Sequence, residues 1–320
     1  MPLVVGIDEA GYGPLLGPLV VAASLWRASP EALADDWWQR LRAAVCRRPT
    51  RNDWRLPVDD SKQLYTRQRG LAALERAVLA FAAAAECPTE TVAALLKGLG
   101  ASLSDEAGLP PWYRDAGTPL PLDPQRSRCP GATERLRACM AASGLCCRAL
   151  LAEVVTENRF NARVAQTRNK ASVLLEQVLR LIRRATAGAG DQDVYIRVDR
   201  LGGRQDYAAV LLSAMPERHL HVLAASDDSS RYRLAGPRSD WYIEFRTDAD
   251  QHELPVALAS MVAKYVREVL MHQFNAHWKS LLPQLRATAG YYQDACRFLA
   301  DIRPVLPRCG LREAEFVRSR

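Results

Sequence analysis

The sequence predicts an α/β fold with a mixed central sheet flanked by helices and a helical C-terminal extension. Two apolar runs separated by a Gly/Pro-rich turn open the chain, and strand-like and helical stretches alternate from about residue 145 onward. The chain closes on one long helical stretch followed by shorter ones. Paired strands followed by such alternation call for a sheet with both antiparallel and parallel neighbours.

Residues 3–7 (LVVGI) read as the first strand and residues 18–25 as the second, so Asp8 and Glu9 fall where the first strand gives way to its loop. Residues 31–45 (EALADDWWQRLRAAV) read as a helix. A stronger helix lies within residues 59–85, with Thr66 as its N-cap and Leu71, Leu74, Val78 and Phe81 on one core-facing stripe. From about 87 to 145 the character changes. Residues 108–131 (GLPPWYRDAGTPLPLDPQRSRCPG) carry too much Pro and Gly for a regular element, and the region reads as an insertion. Its Trp112, Tyr113 and Arg114 either stack on a nucleic acid base or, more in keeping with a Pro-rich loop, pin that loop to the body.

Regular structure resumes with a strand over 147–156 and a helix over 169–185 whose Leu174, Val178, Leu181 and Ala185 share a face. Residues 194–203 (VYIRVDRLGG) repeat the opening arrangement, a strand ending in Asp199 before a turn. Residues 219–226 and 240–250 are strand-like, and a long helix runs over 255–274. No internal repeat is present. The expected organisation is one domain over 1–275, carrying the insertion, with a helical extension over 276–320 packed on it.

At 320 residues and 48% hydrophobic, the chain can bury a large core. A net charge of +7 and a pI near 9.1 favour an acidic partner such as nucleic acid. The eight cysteines form no C-x-x-C pair, only the vicinal Cys146-Cys147, which argues against a zinc module or a secreted disulfide framework and for buried thiols. The first apolar stretch lacks a basic leader, and the most apolar helix, around 78–85, is too short to span a bilayer. A cytoplasmic protein with no membrane partner, and a monomer, is expected.

Three segments offer carboxylates at strand ends or loops: Asp8 with Glu9, Asp199, and Asp248 with Asp250. Brought together, they would raise one another's pKa values unless a cation neutralised them. Hard oxygen ligands suit Mg²⁺, and two such ions roughly 3.5–4 Å apart serve phosphodiester hydrolysis. Acidic residues also favour turns for their solvation alone, so the spacing by itself leaves both readings open. None of the five histidines has metal-ligand spacing.

The stretch GIDEAGYGPLLGPLVVAA resembles the opening motif of the type 2 ribonucleases H, G-x-D-E-A-G-R-G-P followed by G-P and small apolar residues. In the same order come DSKQL, similar to the family's D-S-K-K-L, then ENRFNARVAQTRNKA and VDRLGGRQDY. ADQHELPVALASMVAKYVRE is similar to its A-D…P-V-V-S-A-A-S-I-x-A-K segment, and AGYYQDACRFL falls where the family has a K-G-Y-x-T turn. The match covers most of the chain outside 87–145 and a stretch near 227–240.

The resemblance implies a ribonuclease H-like fold and a Mg²⁺- or Mn²⁺-dependent endonuclease with a two-metal site. Its substrate would be the RNA strand of RNA/DNA hybrids, or ribonucleotide-containing DNA, cut to 3′-hydroxyl and 5′-phosphate ends. Asp8, Glu9, Asp199 and Asp250 would be the catalytic, metal-binding set; Asp250 lies ten positions before Ser260, the family's spacing, with Asp248 as its rival. The turn Gly11-Tyr12-Gly13 would approach the ribose 2′-hydroxyl, which distinguishes RNA from DNA. It keeps both glycines of the family's G-R-G but not the arginine, and that departure bears on the preference between long hybrids and single embedded ribonucleotides. Tyr291, with Tyr292 beside it, would pack on a sugar of the DNA strand, and Lys62 and Lys264 would contact phosphates. Two other readings remain open here: a hybrid-binding protein that has lost turnover, and a nuclease of the same fold acting on another nucleic acid structure.

Overall fold

Val4, Val5 and Ile7 put apolar side chains on both faces of the first strand, which therefore lies inside a sheet rather than at its edge. The computed structural model describes residues 1–50, 53–66, 70–101, 103, 108–115, 117–127 and 129–319. Residues 67–69 of the helix read within 59–85, and residues 102, 104–107, 116 and 128 of the region read as an insertion, lie outside the described residues.

The strands are β1 (Leu3–Ala10), β2 (Leu19–Ala28), the short pair β3 (Val45–Cys46) and β4 (Leu56–Pro57), β5 (Leu145–Val155), β6 (Val194–Asp199), β7 (His219–Ala225), β8 (Ser229–Ala235) and β9 (Asp240–Arg246). The helices of the first half are α1 (Trp37–Arg40), α2 (Ser61–Leu64), α3 (Ala72–Ala84), α4 (Val92–Gly98), α5 (Pro124–Ser127) and α6 (Ala132–Ala142). Those of the second half are α7 (Glu157–Thr167), α8 (Lys170–Thr186), α9 (Ala208–Ala214), α10 (Ala249–His252), α11 (Leu254–Leu281), α12 (Tyr292–Ile302), α13 (Leu306–Cys309) and α14 (Glu313–Phe316). Seven strands form one mixed sheet in the order β5-β2-β1-β6-β9-β8-β7. β1, β6 and β9 run parallel, and the remaining pairings are antiparallel. This is the predicted α/β class, a mixed sheet flanked by helices.

Alternation along β1 divides the interior into two layers. Leu3, Val5 and Ile7 face a core completed by Val173, Leu174, Val178, Leu181 and Ala185 of α8, while Val4 faces the core of α3 and α11. α8 starts where the Asn169 side chain accepts a hydrogen bond from the Ala171 amide at 2.9 Å. α11 is apolar on nearly every side and correspondingly buried over most of its length. It runs through residue 275, and Trp278 beyond that point belongs to the same core as the residues before it.

Several readings change. The helix expected over 31–45 is reduced to the single turn α1. Asp36 caps the Trp38 amide at 2.8 Å, restarting the chain there. Both Trp37 and Trp38 are buried, with indole N–H groups donating to Ala32 and Val58 carbonyls, so no single helix face could serve the segment. α3 begins after Gly70, with Leu71 rather than Thr66 at its N-cap position. β8 escaped the sequence reading because its polar positions merge with the flanking DDSS and GPRSD.

The described residues of the region 87–145 contribute to the main core. α4 and α6 bury Leu95, Leu96, Leu136 and Met140 there. Trp112 packs among Phe274, Trp278 and Phe316, with ring centroids 5.2, 5.9 and 5.6 Å away, so Trp112 and Tyr113 pin the loop and are not free to stack on a base. All eight cysteines are free, but only Cys46, Cys87 and Cys147 are buried, and Cys296 is exposed.

Glu75 anchors the Pro-rich segment. Fully buried, it accepts hydrogen bonds from the Leu122 and Asp123 amides (2.6 and 3.1 Å), the Ser127 hydroxyl (2.6 Å) and the Tyr265 hydroxyl (2.8 Å). Removing the carboxylate strands several buried donors at once, and each stranded donor costs its own desolvation. Glu75→Ala is therefore expected to destabilise the protein by roughly 3 kcal/mol or more, read by urea denaturation, and Glu75→Gln by less.

Candidate active site

Gly6 decides how the site is assembled. A Cβ at this position would lie 2.2 Å from the Pro255 carbonyl carbon, so only glycine lets the first turn of α11 rest on the backbone of β1. Ser24 on β2 fixes the same point, its hydroxyl donating to the Pro255 carbonyl at 2.6 Å. Two residues beyond Gly6 and on the same face of β1, Asp8 then meets α11, where the Ser260 side chain hydrogen-bonds its carboxylate. Ser260 is held in turn by Ser61, Oγ to Oγ at 3.1 Å.

β6 lies parallel to β1 with Ile7 opposite Val198, which sets Asp199 beside Asp8 and Glu9. The Ala249 amide donates to Asp199 Oδ1 at 2.9 Å, tying that carboxylate to the start of α10. Asp248 enters this turn in a left-handed conformation and is exposed, whereas Asp250, one helical step on, is buried. Lys62, at the start of α2, has its charge coupled to Asp60, Asp250, Asp8 and Asp199.

Burial pushes the Asp8 carboxyl well above the carboxylate range, reinforced by the charges of Glu9 and Asp199. Burial and Asp199 raise Glu9 to about 7, against the opposing pull of Lys62. Asp250 is raised to about 6 by burial, Asp60 and Asp199, and Asp199 is raised chiefly by burial. For Lys62, partial withdrawal from water lowers the pKa, but the carboxylates around it outweigh that and hold it above the ordinary lysine value.

Carboxylates that penalise one another in this way are the chemistry a hard cation favours. Glu9 Oε2 supports the fit, being buried without a hydrogen-bond partner. Among the described residues no three acidic, His or Cys side chains are drawn in closely enough to grip an ion as they stand.

The opening turn sits beside this cluster. Gly11 takes φ +87°, and a Cβ there would strike the Arg267 side chain and the Pro18 carbonyl, each at 2.5 Å. Gly13 has neither constraint: a Cβ built on it meets nothing within 4 Å. The Tyr12 ring leans on the α8 core with the Lys170 ammonium 5.2 Å from its centroid. The Gly290 carbonyl accepts from the Leu15 and Leu16 amides (2.8 and 3.2 Å), which brings the exposed Tyr291 and Tyr292 alongside. Lys264 is engaged within the protein, paired with Glu268 at 2.7 Å and lying over the Tyr65 ring.

Asp8, Glu9, Asp199, Asp250 and Lys62 thus come together, and the 11–13 turn lies against the loop of Tyr291. Sequence reasoning missed Asp60, Ser260 and Arg318. The first two lie inside quoted motifs, DSKQL and the segment containing ASMVAK, and were legible as polar residues at apolar boundaries. Arg318, whose guanidinium reaches the turn from near the C-terminus, carried no sequence signal.

Compared with known proteins, the chain matches no family model and no curated protein. Solved ribonucleases HII and HIII are similar to it in structure. Ribonuclease HII from Archaeoglobus fulgidus, solved in complex with PCNA, is 16% identical over 99% of this chain and 94% of that one, with a TM-score of 0.45. Ribonuclease H2 from Pyrococcus horikoshii is 15% identical over 98% and 92%, with a TM-score of 0.44. Bst-RNase HIII in complex with Mn²⁺ is 14% identical over 99% of this chain and 66% of that one, with a TM-score of 0.46. Among the described residues no helix is long and apolar enough to cross a membrane.

The raised acids set the sign of the pH dependence. Asp8, Glu9, Asp250 and the separately buried Glu157, itself pushed up to about 7, bind their protons more tightly in the folded state. Between the unfolded carboxylate range and about pH 7 the folded state therefore holds extra protons, and stability falls as pH rises. Without divalent cations, Tm is expected to be higher near about pH 5.5 than near about pH 8, and Mn²⁺ to raise it more at the alkaline end. A thermal scan that rises from acid to alkaline pH would contradict this.

The two glycines should separate on substitution. Gly11→Ala is expected to cost about 1–3 kcal/mol through backbone strain, and Gly13→Ala to stay within about 0.5 kcal/mol of the parent, both measured by chemical denaturation.

Proposed function

We propose that this protein is a divalent-metal-dependent endonuclease of the type 2 ribonuclease H kind, hydrolysing the RNA strand of RNA/DNA hybrids to 3′-hydroxyl and 5′-phosphate ends. The observation that carries the reading is the convergence of Asp8, Glu9, Asp199 and Asp250, drawn from three separate motifs, into one partly desolvated cluster of mutually raised pKa. A fold gains nothing from such a cluster for its own stability.

In this reading Asp8, Glu9, Asp199 and Asp250 hold Mg²⁺ or Mn²⁺. The bound ions supply Lewis acidity toward the phosphate and make water a competent nucleophile near neutral pH. The chain's own residues orient the parts. Ser260, buttressed by Ser61, fixes one edge of Asp8, and the Ala249 amide fixes Asp199. Lys62 balances the carboxylates in the cation-free state, and its ammonium would contact a substrate phosphate. The Gly11–Gly13 turn passes its main chain close to the ribose, with Gly13 leaving open space on its Cβ side. Tyr291, exposed at the neighbouring turn, offers a flat face to a sugar of the other strand.

Two end-labelled duplexes test the reading: a full RNA/DNA hybrid, and DNA carrying one ribonucleotide, each with Mg²⁺ and with Mn²⁺. Metal-dependent cutting that falls by about 10³-fold or more in Asp199→Asn is expected, since a ligand and its charge are lost together. Binding without cutting by pure wild-type protein would leave a hybrid-binding module instead. In the same preparation, Asp8→Asn is expected to raise the cation-free Tm at neutral pH while abolishing cleavage, because it removes repulsion along with a ligand.

A further inference from the structure

Arg318 lies far from the motifs, yet its side chain is only 3% exposed. Its guanidinium donates to the Gly11 carbonyl and, at 3.0 Å, to the Tyr12 carbonyl, while its plane rests 3.9 Å over the Phe160 ring. Its own amide donates to the Leu15 carbonyl at 2.8 Å. The segment is fixed from behind by Asn161 of α7, whose Nδ2 donates to the carbonyls of Val317 (2.8 Å) and Ala314 (3.1 Å) and whose Oδ1 accepts from the Ser319 amide (2.8 Å). Phe316 is buried among Trp112 and Trp278.

Among the described residues Arg318 makes no salt bridge within 4 Å, although the charge of the buried Glu157 acts on it. A buried guanidinium is costly unless its donors are repaid, and a carboxylate partner is the usual repayment. Here two of the nitrogens donate to carbonyls of a half-exposed turn while Nε has no partner, which is a geometric return rather than an energetic one. Peptide planarity supplies its meaning: the Gly11 and Tyr12 carbonyls point to Arg318, so the Tyr12 and Gly13 amides of the same two peptide planes point the opposite way, away from Arg318.

We propose that Arg318 is a positioning residue that clamps the 11–13 turn from behind and aims two consecutive backbone amides at the sugar-phosphate of the bound RNA strand. The inference deepens the nuclease reading above and rests on it. Substrate binding and ribose discrimination then depend on a residue near the C-terminus that touches no substrate atom, and the carboxylate chemistry does not.

Hydrogen exchange of the wild type, Arg318→Met, Arg318→Lys and Asn161→Ala tests the clamp, read on peptides spanning 10–17 with β6 as internal control. Cleavage kinetics follow on the RNA/DNA hybrid. Arg318→Met is expected to speed exchange at 10–17 by about 10-fold or more with β6 unchanged. It is expected to raise KM for the hybrid by about 10-fold while kcat stays within about 3-fold. Arg318→Lys should fall between, because an ammonium reaches a carbonyl but lacks the planar fork. Asn161→Ala loosens the tail without touching the guanidinium and should move both readouts in the same direction, so the clamp stays testable even where Arg318→Met folds poorly. Unchanged exchange at 10–17, or raised exchange with KM unmoved in an active enzyme, overturns the proposal. A wild type that cuts neither duplex fails the nuclease reading instead, and exchange then decides the clamp by itself.

Discussion

The backbone contact between Gly6 and Pro255 sets the frame on which the rest of the site depends. With no side chain on β1 at that point, α11 lies directly on the strand, and every residue further along the helix inherits that placement. Ser260 arrives at Asp8. Seven residues later, on the same helical face, Arg267 arrives at the opening loop, donating to the Leu16 and Ala289 carbonyls at 3.2 and 3.0 Å. One helix thus serves both the carboxylate cluster and the turn beside it, and a side chain at Gly6 would move the two together.

The electrostatics of the cluster run against stability. Burial withdraws Asp8, Glu9 and Asp250 from water, and their charges then repel within a small volume. Lys62, Ser260 and the Ala249 amide offset part of this, but Glu9 Oε2 is left without any partner. A cation bound at such a site would offset this cost and so raise folding stability.

The turn that follows β1 is over-determined by comparison. Three distant segments hold it: α11 through Arg267, the Gly290 loop through its carbonyl, and the C-terminal segment through Arg318. Each bonds to main-chain groups, so the turn is held in place without help from the side chain at position 12. Tyr12 is accordingly free to pack against the α8 core beneath Lys170.

The α/β class, the strands of the central sheet other than β8 and the buried stripes of α3 and α8 were legible in the sequence, because alternation and helical spacing are local signals. The packing of the region 87–145 was not legible in the sequence. Its Pro and Gly content describes local backbone, but its burial is decided by Glu75 and by Trp112 packing against α11, both long-range. Asp248 and Asp250 are equivalent as a pattern; only the left-handed turn at Asp248 exposes one and buries the other. Arg318 was invisible for the same reason. Its partners lie more than three hundred residues away in the chain, and no periodicity reports a contact that only the closed fold creates.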